Sequence, residues 1–340
     1  MKVSILDYGV IDKEKTPQEA LLETRCLAQV ADKLGFHRFW VAEHHNIYAF
    51  AISSPELLMM HLADHTKQIR IGSGGIMPLH YSSFKIAEWI MTLEALHPNR
   101  IDLGIGNSLG TTLVQRALSS IHCKDSYSQV VTELYQYLNP DHLSPLPIFV
   151  NPRGNTYPQI WTLSNSLETA ELAGQLGLGY TFGIFPYIPK DPITEAKRVS
   201  AHYRKAFRPS KLLKIPKLIL AVFIVLSDTD EEAEALAKPL DIWMLGQQDF
   251  NEFKTYPDVE EARNYHLTEK QREAIAANRS RMVIGSPHTV KKQLDRLIEA
   301  CQADELLAIP LVPEFANRQR TLELLADLYG DHLTLPKTIP

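Results

Sequence analysis

Short apolar segments alternate with amphipathic segments along the whole chain, and this alternation constrains the fold more than any other feature of the sequence. Strands that alternate with helices are typical of a parallel sheet, because parallel strands need a crossover connection that a helix supplies. We count about eight such repeats. The predicted strands are Lys2–Asp7, Arg38–Ala42, Ile69–Ser73, Ile101–Ile105, Ile160–Leu163, Tyr180–Gly183, Lys217–Leu226 and Glu305–Ile309.

The segments between these strands carry signals for helix starts. Thr16 is followed by Pro17 and Glu19, which predicts a capping box with proline in the first turn. Thr268 and Gln271 match the same capping pattern. Further helices are predicted from about Ser83 to Leu96 and from about Leu167 to Leu176, and a last helix is predicted to end near Tyr329.

Eight strand–helix repeats predict an α/β fold, specifically a closed (β/α)₈ TIM barrel. Such barrels typically have about 250 residues, whereas this chain has 340. We therefore predict a single domain over residues 1–340 with insertions near 122–158 and 246–282. A doubly wound open sheet is the alternative. In a barrel, the active site is expected where the strands end, at their carboxyl termini.

The composition excludes several classes of protein. Lys and Arg total 35 against 40 Asp and Glu, the net charge is −5, and no long basic run is present, so no nucleic-acid partner is expected. Three widely separated cysteines predict a reduced protein rather than a disulfide scaffold. The longest apolar run, Leu218–Leu226, is too short to span a bilayer. We expect a cytoplasmic protein without a membrane partner.

Two pairs of histidines are candidates for chemistry. His44 and His45 follow Glu43 directly after a predicted strand, and neighbouring residues of an extended chain point in opposite directions. One of them could therefore face a cavity as a general base, or both could be structural. His61 and His65 share one helix face but lack the pattern of a zinc protease, so we predict no metal site.

The segment after the fourth strand contains a possible nucleophile. Gly106, Ser108 and Gly110 match the G-x-S-x-G pattern, in which a sharp turn from strand to helix exposes the serine. This match makes a serine hydrolase that uses Ser108 one hypothesis for the function.

Two other strand ends could contact a ligand. Gly74 and Gly75 could let a flat ligand approach the backbone, or could form only a tight turn. Ser164, Asn165 and Ser166 precede a helix, where they could bind a phosphate or serve as an ordinary N-cap.

Several separate motifs of this chain resemble those of the bacterial luciferase-like family of flavin-dependent monooxygenases, and they occur in the same order as in that family. The resemblance covers most of the chain, and the combination of motifs is more specific than any single one. The matching segments are Gly35–Asn46, Ile69–Met77, Thr92–Gly106, Ile284–Val290 and Ala303–Leu306.

The resemblance implies a (β/α)₈ barrel that binds FMN at the carboxyl ends of its strands. It also implies a monooxygenase that uses reduced FMN, supplied by a separate reductase, and O₂ to oxidise a small organic substrate. A homodimer is expected on the same ground, and a deazaflavin is the less favoured cofactor. The apolar residues Tyr8, Ile184 and Phe185 predict a hydrophobic substrate. A flavin-binding homologue without turnover is the alternative.

The resemblance also assigns roles to residues. His44 falls on the family's active-site histidine, and Gly74-Gly75 falls where the family often has a non-proline cis peptide beneath the flavin ring. Asn107 and the segment Ser164-Asn165-Ser166 fall on the phosphate side of the cofactor. Relatives commonly have Arg in place of Asn107, and an uncharged residue in place of Glu168. Both differences predict a weaker phosphate site, because the cation is missing and a carboxylate is added.

Overall fold

The computed structural model describes residues 1–119, 121–141, 144, 146–186, 188 and 190–330. The predicted insertion near 122–158 and the predicted domain 1–340 thus include residues outside the described ones. The strands are β1 (Lys2–Asp7), β2 (Arg38–Val41), β3 (Arg70–Ser73), β4 (Ile101–Ile105), β5 (Gln159–Ser164), β6 (Gly179–Ile184), β7 (Leu218–Leu226), β8 (Met282–Gly285) and β9 (Glu305–Ile309).

All paired strands are parallel, and eight of them form a closed barrel. The order around the barrel runs from β1 to β7, and β9 lies between β7 and β1. Closure is achieved where β6 pairs with β7. The predicted TIM barrel is therefore confirmed, and the open-sheet alternative is wrong.

Strand β8 is the element that the sequence pattern did not predict. It pairs with the second half of β7, from Phe223 to Leu226, while β9 pairs with the first half, from Ile219 to Phe223. β8 has only four residues and lies at the end of the predicted insertion 246–282. β2 and β3 are equally short, but β8 directly follows a polar helical segment, and its four residues show no pattern that separates them from it.

Helices surround the barrel and connect its strands. Both predicted capping boxes are present, at Thr16 with Glu19 and at Thr268 with Gln271. The helices are α1 (Pro17–Lys33), α2 (Pro55–His65), α3 (Ser83–Leu96), α4 (Thr112–Ala117), α5 (Tyr127–Leu138), α6 (Leu167–Leu176), α7 (Pro192–Ala206), α8 (Asp230–Trp243), α9 (Val259–Asn264), α10 (Glu269–Arg279), α11 (Pro287–Cys301) and α12 (Phe315–Tyr329). No helix of the described residues is long and apolar enough to cross a membrane.

Side chains that alternate along the strands fill the barrel or pack against the helices. The interior contains a cluster that includes Leu6, Trp40, Trp161 and Leu307, and the rings of Trp40 and Trp161 lie 6.1 Å apart. A second cluster lies between the strands and the helices. Because both faces are buried, a strand such as β7 reads as a continuous apolar run.

A buried ion cluster closes the amino-terminal end of the barrel. Arg38 donates from Nη1 to Asp102 at 2.6 Å and from Nε to Glu305 at 2.6 Å, and its guanidinium lies 4.7 Å from the ring centre of Trp161. Arg70 also donates to Asp102. These residues lie at the opposite end of the barrel from the expected active site, so we assign them to stability.

The two segments that we predicted as insertions differ in what their described residues contact. Residues 122–158 include α5, which packs against α3 on the outside of the barrel. Residues 246–282 contain α9 and α10, and their first five residues reach the carboxyl-terminal mouth of the barrel. Among the described residues, those of the second segment therefore contribute to the cavity at the strand ends, and those of the first do not.

Candidate functional site

A cavity of about 500 Å³ lies at the carboxyl ends of the strands. Its walls come from the segments that follow β1 to β6, from β7, and from residues 243–250. It brings together six of the seven predicted site residues, namely His44, Gly74, Gly75, Asn107, Ser164 and Asn165, and it also contains Tyr8 and Phe185. Ser166 and Ile184 are not among its lining residues. A groove of about 730 Å³ between α7, α10 and α11 contains none of the predicted site residues.

Gly74 and Gly75 form the floor of the cavity after β3, and the peptide bond between them is cis, the geometry that the resemblance implies. The structure shows why both positions are glycine. A Cβ on Gly75 would lie 2.6 Å from the backbone nitrogen of Gly106, and one on Gly74 would lie 2.7 Å from Cδ1 of Leu6. The close approach of the ends of β3 and β4 therefore excludes a side chain on Gly75, whereas a side chain on Gly74 would displace that of Leu6.

His44 lies against two aromatic rings inside the cavity. Its ring centre is 4.7 Å from that of Tyr8 and 5.2 Å from that of Phe50. Burial, reinforced by the neighbouring His45, lowers the pKa of His44 to about 4, so the imidazole is neutral at neutral pH. Its buried Nδ1 has no hydrogen-bond partner among the described residues. This nitrogen can therefore bond a ligand in the cavity.

Glu43 and His45 form a hydrogen-bonded network next to His44. The Glu43 carboxylate is 2.7 Å from Nε2 of His45 and accepts bonds of 2.7 Å from the Met77 N–H and the Tyr81 hydroxyl. Burial, followed by the Glu43 charge, raises the pKa of Tyr81, which keeps it a donor. Glu43 thus joins the segment after β2 to the segment after β3.

Glu43 is a site residue to which the sequence analysis gave no role. The glutamate is visible in the same motif as His44, but its partners Met77 and Tyr81 are more than thirty residues away along the chain. No spacing rule connects these positions. The buried acid directly before the two histidines is the one signal that could have indicated a network.

The predicted phosphate-side residues fall into two groups. Asn107 and Asn165 line the cavity, and their side-chain amides make no hydrogen bond with other described residues. Ser164 is buried, and its hydroxyl accepts the Ser166 N–H at 3.2 Å. Ser166 caps α6 by accepting the Thr169 N–H at 3.1 Å, which is the structural alternative for this residue. Glu168 is exposed and lies outside the cavity lining.

Ser108 lines the cavity but lacks the partners of a nucleophile. Its hydroxyl accepts the Gly110 N–H at 3.0 Å, and it makes no hydrogen bond to a histidine of the described chain. A serine nucleophile needs an adjacent general base that is oriented by a third group. The geometry therefore gives the serine hydrolase hypothesis no support.

Several aromatic lining residues were not identified from the sequence. Phe223 lies within β7, Phe50 lies after β2, and Trp243 and Phe250 come from the end of α8 and the start of the second insertion. Their sequence positions carry no common pattern, because only the barrel brings β7, the insertion and the segment after β2 to one side of the mouth.

His61 and His65 remain a surface pair on α2. Their rings lie 4.4 Å apart, and Nδ1 of His65 is 2.7 Å from the carbonyl oxygen of His61. Within the described ranges, no group of three or more His, Cys, Asp or Glu side chains is arranged to hold a metal ion.

The cavity lining has a chemistry that fits a flavin. The glycine floor offers a flat surface, His44 Nδ1 is a buried unpaired nitrogen, and Asn107 and Asn165 offer neutral hydrogen-bonding groups. No Lys or Arg side chain belongs to the lining in the described part of the chain. A phosphate would therefore be held by neutral donors alone.

Comparisons with known proteins agree with this architecture. The profile of the family described as luciferase-like monooxygenase matches residues 1–303. An uncharacterised protein of Bacillus subtilis (strain 168), YceB, is 36% identical over 333 residues, which cover 96% of this chain and 99% of that protein. The N-acetyl-S-alkylcysteine monooxygenase of the same organism is 30% identical over 334 residues, covering 96% and 98%.

A solved structure is similar over nearly the whole length. The crystal structure of apo-MsnO8 has a TM-score of 0.86 and 32% sequence identity, and the match covers 98% of this chain and 99% of that chain. The family match includes β1 to β8 and every residue of the cavity lining described above. By sequence and by fold, the chain belongs to the luciferase-like monooxygenase family.

Proposed function

We propose that this protein is a monooxygenase that uses reduced FMN and O₂ to oxidise a small apolar organic substrate. The observation that carries the proposal is the buried, unpaired Nδ1 of a neutral His44, a residue that lines the cavity with Gly74 and Gly75 at the strand ends. Family membership supports the reaction class, and the aromatic lining supports an apolar substrate.

Each lining group has a role in this proposal. Reduced FMN, when bound, would supply the electrons that activate O₂. Gly74 and Gly75 would support the flavin ring, and Asn107, Ser164 and Asn165 would bond the polar ribityl phosphate chain. Ser166 would act indirectly, by fixing the start of α6 and the position of Ser164.

His44 is the residue that we assign to proton transfer. The ring is neutral at neutral pH, so it can accept one proton from a reacting group and return that proton in a later step. Tyr8 and Phe50 pack against the ring and exclude water from it. A positioned general acid or base contributes about 10²–10⁴ to a rate.

The cofactor would bind weakly and be delivered by a partner. Without a cation at the position of Asn107, the phosphate loses a charge-assisted contact. Weak binding suits an enzyme that takes diffusible reduced FMN from a separate reductase. A cytoplasmic homodimer is part of the same proposal, and a deazaflavin is the second choice of cofactor.

The first experiment is a calorimetric titration of the protein with oxidised FMN and, under anaerobic conditions, with reduced FMN. Tighter binding of the reduced form supports the proposal. Binding of neither form would contradict it and would lead to a deazaflavin titration. In turnover assays with a reductase, His44→Ala should lose about 10²-fold or more in oxidation, with flavin affinity nearly unchanged. Full activity in that variant would contradict the role of His44.

A flavin-binding homologue without turnover is a second candidate, favoured by the absence of Lys and Arg among the described lining residues. It predicts no substrate-dependent O₂ consumption with any reductase that is supplied, even where reduced FMN binds. Oxygen consumption coupled to a single tested substrate would exclude it.

A further inference from the structure

The cavity lining divides into two halves according to strand order. The ends of β3, β4 and β5, which are neighbours in the barrel, and the segments after them contribute glycines, neutral polar residues and the aliphatic side chains of Met77, Val114 and Leu163, but no ring of the described lining. The remaining arc, formed by β6, β7, β1, β2 and the second insertion, contributes the rings. These aromatic residues are Tyr8, Phe50, Phe185, Phe223, Trp243 and Phe250, and we call them the aromatic wall.

The rings of the aromatic wall form one continuous surface. Tyr8 lies 5.3 Å from Phe50 and 5.9 Å from Phe223, measured between ring centres, and Phe50 lies 5.2 Å from Trp243. Trp243 in turn is 5.9 Å from Phe250. Aromatic faces bury apolar groups, and they also attract cations through the negative charge above the ring. The wall is therefore suited to a ligand with apolar surface and a positive charge.

The charges of the lining favour the same kind of ligand. The described lining has two carboxylates, Glu43 and Asp249, and lacks Lys and Arg. Glu43 already accepts hydrogen bonds from the Met77 N–H and the Tyr81 hydroxyl. Asp249 lies at the mouth, beside Phe250, and its carboxylate makes no hydrogen bond or ion pair with other described residues. An anionic substrate at the aromatic wall would lose its hydration without gaining a cationic partner.

The backbone holds Asp249 at this position. It lies in a turn in which Gly246, Gln248, Asp249 and Phe250 all have positive φ, the left-handed conformation. The next residue, Asn251, fastens the turn across the mouth of the barrel. Its amide donates to the carbonyl oxygen of Asn46 at 2.7 Å, and its Oδ1 accepts the Tyr48 N–H at 3.0 Å.

From this arrangement we infer that the substrate is an apolar organic cation, such as an amine that is protonated at neutral pH or a quaternary ammonium. This inference rests on the proposed function and names the substrate class for it. The apolar part of the substrate packs on the aromatic wall, and its positive charge lies between the ring faces and the Asp249 carboxylate. Asp249 is then a residue that determines specificity.

The test compares three probes that share one apolar body: (4-phenylbutyl)trimethylammonium, 4-phenyl-1-butanol and 5-phenylpentanoate. Each is titrated into the flavin-free protein, and binding is followed by tryptophan fluorescence and by calorimetry. We expect the ammonium to bind about tenfold more tightly than the alcohol and the carboxylate to bind most weakly. Equal affinities, a preference for the carboxylate, or no binding of any probe would overturn the inference.

Variants locate the effect. Asp249→Asn removes the charge but keeps a residue that tolerates left-handed φ, so the turn should persist. It should reduce the ammonium affinity toward that of the alcohol and leave the alcohol unchanged. Glu260→Gln is the matched control, an exposed acid of the same insertion outside the lining, and should change none of the three affinities. If both variants lose affinity for the ammonium equally, Asp249 does not determine the specificity for a cation.

The two proposals fail separately. Binding of reduced FMN and turnover of a neutral or anionic substrate would retain the monooxygenase and remove the cationic substrate. Selective ammonium binding in a protein that binds no flavin would retain the ligand preference and remove the monooxygenase.

Discussion

Glu43 is the residue whose replacement tests the architecture of the site most directly. Its carboxylate meets three donors at 2.7 Å, and it is 4% exposed. Replacement by leucine removes all three contacts and introduces an apolar side chain of similar size. Two of the donors, the Met77 N–H and the Tyr81 hydroxyl, would be left without a partner in a largely buried environment.

The expected loss of stability follows from these contacts. A buried donor left unsatisfied costs about 1–3 kcal/mol, and His45 is half-buried and can turn to water. Glu43→Leu should therefore lower the free energy of unfolding by about 3–5 kcal/mol. Glu43→Gln should cost only about 1–2 kcal/mol, because an amide of the same shape can still bond all three groups.

Urea unfolding, monitored by circular dichroism, measures the free energy of unfolding of both variants. Glu168→Leu, an exposed change on α6, is the control and should stay within about 0.5 kcal/mol of the original protein. Flavin titration of the same variants then shows whether the segment after β2 has moved relative to Gly74 and Gly75. If the unfolding free energy of Glu43→Leu stays within about 1 kcal/mol of that of the original protein, the network is refuted, because the buried donors would then have other partners.

Three further predictions concern pH, the cofactor and the barrel. Because burial lowers the pKa of His44 from its ordinary value of 6.5 to about 4, the unfolded chain binds the proton first as pH falls, and this group should destabilise the fold progressively between these two values. The loss of activity caused by protonation of His44 should be centred near pH 4 in a rate profile, rather than near 6.5. Asn107→Arg should increase the affinity for reduced FMN by about tenfold, because the new cation makes a charge-assisted contact with the phosphate. An unchanged dissociation constant would mean that the phosphate does not lie at this position. Arg38→Met should lower the free energy of unfolding by about 3–5 kcal/mol, because the buried Glu305 loses its cation; adding Glu305→Gln should recover part of this, and no recovery in urea unfolding would contradict the pairing.

The sequence by itself determined the secondary structure and the class of fold. Short apolar runs must be strands buried on both faces, and Thr16 and Thr268 must cap helices, because these are local consequences of side-chain type. The exception is β8, a four-residue strand that directly follows a polar helical segment. Motif order then identified the family, and the positions after the strands indicated His44, Gly74 and Gly75.

Only the tertiary structure decided how these positions combine into a site. Closure of β6 on β7 brings Tyr8, Phe223 and Trp243 to one arc of the mouth, although they are far apart in the chain. Closure also gives Glu43 its partners and leaves Nδ1 of His44 unpaired. The structure also shows that the hydroxyl of Ser166, predicted on the phosphate side of the cofactor, caps α6. Local sequence fixes what each residue can bond, whereas distances between remote segments depend on the closed barrel.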